Sequence, residues 1–131
     1  MQTRRTVIQS LLAGGLSACC MVSFAADFGT VDVQQGQAMA RQGALLLDVR
    51  EQSEYDAGHA PGSTLIPLGQ LKNRLGEIGA HQNKPVVVIC RSGNRSAQAS
   101  GILAQQGFRN VHNVQGGMLA WEKAGLPVEK K

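Results

Sequence analysis

Val86-Val87-Val88-Ile89-Cys90-Arg91-Ser92-Gly93-Asn94-Arg95-Ser96 runs from four β-branched residues into a thiol, then into a segment rich in glycine, hydroxyl and guanidinium groups. An uninterrupted apolar run of this length suits a strand covered on both faces, as in a parallel sheet. Beyond Ser96, residues 97–106 place Ala97, Ile102, Leu103 and Ala104 on an apolar helical face that stops at Gly107. A strand that ends at a cysteine and turns into a helix points backbone N–H groups and a helix N-terminus at the sulfur, favouring the thiolate. An unperturbed thiol is only about 3% ionised at neutral pH, and a drop of about two pKa units makes it mostly thiolate. Arg91 and Arg95 bring positive charge, and Gly93 lets the backbone curl so that its donors converge. Ser92 and Ser96 offer hydroxyls, Ser96 alternatively as the cap of the helix.

The same alternation of strand and helix recurs on either side. Residues 29–33 read as a short strand and 34–41 as a short helix ending at Gly43. Residues 44–47 form a second apolar strand running into Asp48-Val49-Arg50, and Ser53 is placed to cap a helix through Ala57 that stops at Gly58. Pro61-Gly62 turns the chain into a strand over 63–66, and Leu68, Leu71, Leu75 and Ile78 then recur at helical spacing up to Gly79. A strand over 111–114 and a helix over 118–124 complete the series. The pattern predicts an α/β domain: a small, mostly parallel five-stranded sheet flanked by helices. Such sheets bind ligands at the carboxyl ends of their strands, where Asp48 and Cys90 both fall.

The first 25 residues are expected to be a cleaved export signal. Arg4 and Arg5 precede a largely apolar stretch over 7–22, and Ser23-Phe24-Ala25 offers small residues for cleavage after Ala25. Arg4-Arg5 fits a twin-arginine route as well as the general secretory one. Leu16-Ser17-Ala18-Cys19 offers the alternative of a lipoprotein anchored at Cys19. The expected mature chain is one domain, residues 26–131, in the periplasm and without a membrane span. Loss of the signal lowers the net charge from +4 to +2, and no basic run interleaved with aromatics remains, so nucleic acid is not an expected partner. It also removes Cys19 and Cys20 and leaves Cys90 without an internal disulfide partner. A single thiol in an oxidising compartment is either an inert buried residue or a working one, and its polar flanks favour the second. His59, His81 and His112 are isolated in sequence, so no metal site is expected.

Three separated motifs carry a family resemblance. Cys90-Arg91-Ser92-Gly93-Asn94-Arg95-Ser96 resembles the active-site loop of the rhodaneses, the thiosulfate sulfurtransferases. Leu47-Asp48-Val49-Arg50 with Glu54-Tyr55 and Gly58-His59-Ala60-Pro61-Gly62-Ser63 resembles a second family signature. Gly116-Gly117-Met118-Leu119-Ala120-Trp121, closing at Gly125-Leu126-Pro127, resembles the C-terminal one. Ala60 and Ser63 depart from the pattern, standing where the family often has isoleucine and alanine. The resemblance covers residues 31–128 and implies a single-domain, rhodanese-like fold.

It further implies a double displacement without metal or organic cofactor. Cys90 takes the outer sulfur of thiosulfate, or of another sulfane-sulfur donor, and passes it to cyanide or a thiol. Arg91, Ser92, Gly93, Asn94 and Arg95 would bind substrate, with Asp48, Arg50, His59 and Ser96 supporting the loop from behind. From the residues alone, Asp48 and Arg50 read as buried ion pairs or hydrogen bonds anchoring the sheet ends, and His59 as mainly a turn-fixing residue. Arg95 faces either the substrate anion or a carboxylate, Asp48 or Glu54. Cys90 to Arg95 spans six residues, one fewer than in relatives acting on phosphate or arsenate. Two alternatives remain beside the transferase: a persulfide carrier for a protein partner, and a phosphatase or arsenate reductase. The domain is expected to be a monomer.

Overall fold

Asp32 ends the first strand and starts the first helix. Its carboxylate accepts the Gln35 N–H at 2.8 Å, while the Gln35 carboxamide accepts the Asp32 N–H at 3.0 Å. This reciprocal cap satisfies two donors that a helix start leaves free. In the computed structural model, which describes residues 27–131, β1 is Gly29–Val31 and α1 is Val33–Arg41. There follow β2 (Leu45–Asp48), α2 (Gln52–Ala57), β3 (Thr64–Leu65), two 3-10 segments (Leu68–Gln70 and Lys72–His81), β4 (Val86–Ile89), α3 (Asn94–Gln105), β5 (Val111–Val114) and α4 (Gly117–Lys123). The expected α/β architecture is the observed one: five strands in the order β1-β5-β4-β2-β3, every pairing parallel. Among the described residues no helix is long and apolar enough to cross a membrane. The expected export signal and Cys19 lie outside the described residues.

β4 is the central strand, and all four of its residues are fully buried. Their side chains alternate between two cores. Val86, Val88 and Cys90 pack with Leu47, Val49, Ala99 and Leu103 on the α3 side. Val87 and Ile89 pack with Leu46, Met118 and Trp121 on the side of α1 and α4. Burial on both faces is the reason β4 carries no polar residue until Cys90. The Trp121 indole N–H donates to the Pro127 carbonyl at 2.8 Å, tying the chain after α4 back onto the helix.

Three local expectations are corrected. Ser53 does not cap α2: the helix starts one residue before it, and Glu54 accepts the Glu51 N–H at 3.0 Å. Residues 68–81 are not α-helical but two 3-10 segments, with Ile78 out of helical geometry at φ −119° and ψ 17°. Leu68 and Leu71, like Leu75 and Ile78, are three residues apart, a spacing that places both on one face at three residues per turn. Gly69, Gly76 and Gly79 weaken the competing α-helix. The helix after Cys90 begins at Asn94 rather than Ala97, so Asn94, Arg95 and Ser96 form its first turn, and Ser96 is not its cap. Gly93, at φ +114°, makes the turn into that helix without a side-chain cap.

Candidate active site

Cys90 follows β4 directly, and its residue is 1% exposed. The Gly93 N–H donates to Sγ at 3.1 Å, and the Ser96 hydroxyl lies 3.2 Å from it. The early start of α3 produces this second contact, because it turns Ser96 inward from the first helical turn. Ser96 is fully buried, and its carbonyl accepts the Ser100 hydroxyl at 2.7 Å. Burial pushes the Cys90 thiol up. The Ser96 hydroxyl and the N–H groups of Ser96, Gly93 and Ser92 outweigh burial and hold it below its ordinary value. The donors that favour the thiolate are therefore mostly backbone, as a short loop closing on sulfur requires.

The loop is held from behind by α4. The Met118 N–H donates to the Cys90 carbonyl at 2.8 Å and the Leu119 N–H to the Arg91 carbonyl at 3.1 Å. Both carbonyls thus point toward α4, leaving the loop N–H groups free to face the sulfur. The approach is so close that a Cβ on Gly117 (φ +55°) would overlap the backbone of Cys90 and Arg91.

The two expected arginines divide their work. Arg95 forms a bidentate pair with Glu54, at 2.7 and 2.9 Å, so the loop is braced against α2 across 41 residues of sequence. Of the two carboxylates considered for it, Glu54 is the partner and Asp48 is not. The Arg95 hydrogen bonds outweigh burial and hold the Glu54 carboxyl at about 2 instead of 4.5, while the Arg95 guanidinium is raised by the same bonds. Arg91 is exposed and lines a cleft of about 270 Å³ with Arg50, Glu54, Gly58, Met118, Leu119 and Glu122. Ser92 and Asn94 are exposed on the same loop. Cys90 itself does not line the Arg91 cleft, and a larger one of about 310 Å³, between α1, Pro61-Gly62 and Trp121, includes no residue of the Cys90 loop.

Glu54 supports a pH prediction. A carboxyl lowered from 4.5 to about 2 on folding adds stability that is fully present above 4.5 and is lost as pH falls toward 2. Glu54→Gln should lower stability at pH 7 by about 1 kcal/mol, given the partial exposure of the pair. Urea midpoints of parent and variant should converge between pH 4.5 and 2. A gap independent of pH would show that the pair does not act through this ionisation.

Asp48 and Arg50 form the sheet-end ion pair. The Arg50 side chain donates to the Asp48 carboxylate at 2.8–3.1 Å and to the Gly58 carbonyl at 2.8 Å, and Asp48 also accepts the Arg50 N–H at 3.0 Å. Asp48 therefore acts on Arg50, and its recorded bonds do not reach the Cys90 loop. With one member fully buried and the other 5% exposed, pairing is what makes their burial tolerable. His59 makes its contacts with Tyr55 and Glu129. Its ring stacks on Tyr55 at 3.8 Å, Nδ1 lies 2.7 Å from the Tyr55 carbonyl, and its backbone pairs with Glu129 at 2.8 Å in both directions. It joins the C-terminal residues to α2. The departure at Ser63 is used as well: its hydroxyl donates to the Ala60 carbonyl at 2.7 Å, and its carbonyl accepts the Tyr55 hydroxyl at 2.7 Å.

Sequence reasoning did not single out the α4 amides or Asn113, whose carboxamide donates to the Gly93 carbonyl at 3.4 Å. The α4 donors are backbone groups and leave no side-chain signal. Asn113, a buried polar residue in β5 beside His112, was the available clue.

A parallel sheet with a cysteine at the end of its central strand and a six-residue loop closing on that sulfur defines a thiol-centred α/β domain. Residues 32–124 match the rhodanese-like domain, and the chain belongs to that family. It is 40% identical over 84 residues to a sulfurtransferase of Allochromatium vinosum, covering 64% of this chain and 77% of that protein. It is 36% identical over 95 residues to the thiosulfate sulfurtransferase GlpE of Pseudomonas syringae pv. syringae, covering 72% of this chain and 88% of the relative. The crystal structure of a rhodanese-related protein from Thermoplasma volcanium superposes with a TM-score of 0.71 at 31% identity, over 79% of this chain and all of that one.

Proposed function

We propose that the protein is a thiosulfate sulfurtransferase that works through a persulfide on Cys90. The observation that carries this reading is the closure of the loop on a single sulfur, with the Gly93 N–H at 3.1 Å and the Ser96 hydroxyl at 3.2 Å. A thiolate so held attacks the outer sulfur of thiosulfate. The new bond joins Sγ to that sulfur, the old sulfur–sulfur bond breaks, and its electron pair leaves with sulfite. The persulfide is an anion of the same charge as the thiolate it replaces, so the same donors serve both states. An acceptor, cyanide or a thiol, then attacks the outer sulfur and returns the pair to Sγ. The exchange needs no outside oxidant or reductant.

Arg91, exposed at the cleft, is the cation available to an anionic donor, while Arg95 acts as a brace through Glu54. Ser92, Gly93 and Asn94 contribute the loop that surrounds the substrate, and Asp48, Arg50 and Ser96 keep its surroundings in place. A tetrahedral phosphate or arsenate needs a ring of donors standing off the sulfur. Here the donors reach the sulfur itself, which favours sulfur transfer over phosphatase or reductase chemistry.

The domain is further proposed to act in the periplasm after removal of residues 1–25. One experiment addresses both parts: intact mass of the exported protein before and after thiosulfate, with thiocyanate release on adding cyanide. The expected chain starts at Ala26 and gains the mass of one sulfur atom, which cyanide removes as thiocyanate. A chain starting at a lipidated Cys19 would overturn the soluble form. Absence of the sulfur adduct would overturn the mechanism, and an adduct that cyanide does not discharge would favour a carrier for a protein partner.

A further inference from the structure

Asn113 is 9% exposed, and its position in β5 decides which way it faces. Val111 packs in the core under α3 and Val114 in the core under α1 and α4, so the alternation of the strand turns Asn113 toward α3. Its neighbours across the sheet are Val88 of β4, two residues before Cys90, and Thr30 of β1. Its Oδ1 is buried with no hydrogen-bond partner among the described residues, and its Nδ2 donates to the Gly93 carbonyl at 3.4 Å. Swapping the two ends of the carboxamide would set oxygen against oxygen, so the donor is assigned by chemistry. A buried amide with an orphaned acceptor and one long bond is less favourable to folding than an apolar side chain of the same size. What the residue contributes must therefore be sought at the other end of that bond.

The other end is the carbonyl of Gly93, which belongs to the peptide after the one whose N–H meets the sulfur and is coupled to it through the Gly93 φ and ψ. Gly93 donates its N–H to Sγ at 3.1 Å, sits at φ +114°, and gives its carbonyl to the Ala97 N–H at 3.2 Å and to Asn113. Glycine is the residue type freest to rotate out of such a conformation. Ala97 anchors the carbonyl from within α3, and Asn113 anchors it from the sheet. We propose that Asn113 is a positioning residue, whose carboxamide fixes the Gly93 carbonyl to the sheet so that the Gly93 N–H stays on the Cys90 sulfur. It touches neither the sulfur nor the cleft. The inference rests on the reading of Cys90 as a working thiolate, but it concerns how the thiolate is held rather than what it transfers.

The test is the pH dependence of Cys90 alkylation by iodoacetamide, which requires no sulfur transfer. In Asn113→Leu the midpoint should move upward and the rate at neutral pH should fall about three- to tenfold. The thermal midpoint should stay level or rise, because the orphaned oxygen has gone. Asn113→Ala, which cannot overfill the site, should show the same loss of alkylation rate. An unchanged alkylation profile in either folded variant overturns the proposal. So does failure of both to fold, which would make the residue structural. A shifted profile in a protein whose parent forms no persulfide would uphold the positioning role and refute the transfer reading instead.

Discussion

Cys90→Ser should fold as the parent does and lose sulfur transfer altogether. The substitution replaces a 1%-exposed thiol with a hydroxyl of nearly the same shape, which can still accept from the Gly93 N–H and meet the Ser96 hydroxyl. The expected change in stability is therefore small, about 1 kcal/mol. The chemistry fares differently. The N–H groups of Ser92, Gly93 and Ser96 bring a thiol below its ordinary value, but an alcohol starts so far above it that the same donors leave it protonated. Serine at this position is also unable to hold a sulfane sulfur that a second nucleophile can remove as readily. Thiosulfate should leave no adduct on the intact protein, and thiocyanate release should drop at least about 1,000-fold, to the uncatalysed background. Thiocyanate production undiminished in the folded variant would remove Cys90 from the mechanism.

The contrast between what this chain made legible and what it hid follows from the range of the interactions. β4 and the thiol at its end were readable because an apolar run buried on both faces has one dominant explanation. The six-residue loop was readable as a spacing. The start of α3 was not, because Gly93 opens the helix by its own conformation and leaves no capping side chain to find. The difference matters chemically: of the two readings of Ser96, hydroxyl at the site or helix cap, three residues of earlier helix leave the first, with the hydroxyl 3.2 Å from the sulfur. The 3-10 segments were hidden for a related reason. Leu68, Leu71, Leu75 and Ile78 fit either helical period on hydrophobic pattern alone, and the competition is settled by glycines and tertiary packing.

Long-range partners were the least legible. Nothing local distinguishes Asp48 from Glu54 as the acceptor for Arg95; the choice is made by α2, which presents Glu54 to the loop while Asp48 is already taken by Arg50. The placement of the loop carbonyls was also out of reach, since the amides that hold them belong to Met118 and Leu119, far along the chain. Gly116-Gly117 stood in the C-terminal motif without showing the close approach of Gly117 to the backbone of Cys90 and Arg91.

That close approach supports the second large effect. Gly117→Ala should disable the site without altering any side chain in it. The added Cβ would come within 2.5 Å of the Arg91 carbonyl carbon and oxygen, and would overlap the Cys90 carbonyl oxygen. These are backbone atoms of a strand end and a tight loop, so no rotamer change can relieve the overlap. Either α4 withdraws or the loop does, and both routes break the Met118 and Leu119 donations at 2.8 and 3.1 Å. Released carbonyls can then turn toward the sulfur, where their negative ends disfavour the thiolate. Overpacking plus a non-glycine residue at φ +55° should cost about 2–4 kcal/mol. Gly125→Ala separates the two contributions. Gly125 also has a positive φ, +75°, yet an added Cβ there meets nothing within 4 Å. That variant should lose only about 1 kcal/mol and keep full activity. Gly117→Ala should lose sulfur transfer even at temperatures where circular dichroism finds it folded, with its Cys90 alkylation profile moved to higher pH. If both variants lose the same stability and Gly117→Ala stays active, the loop does not depend on α4 for its shape.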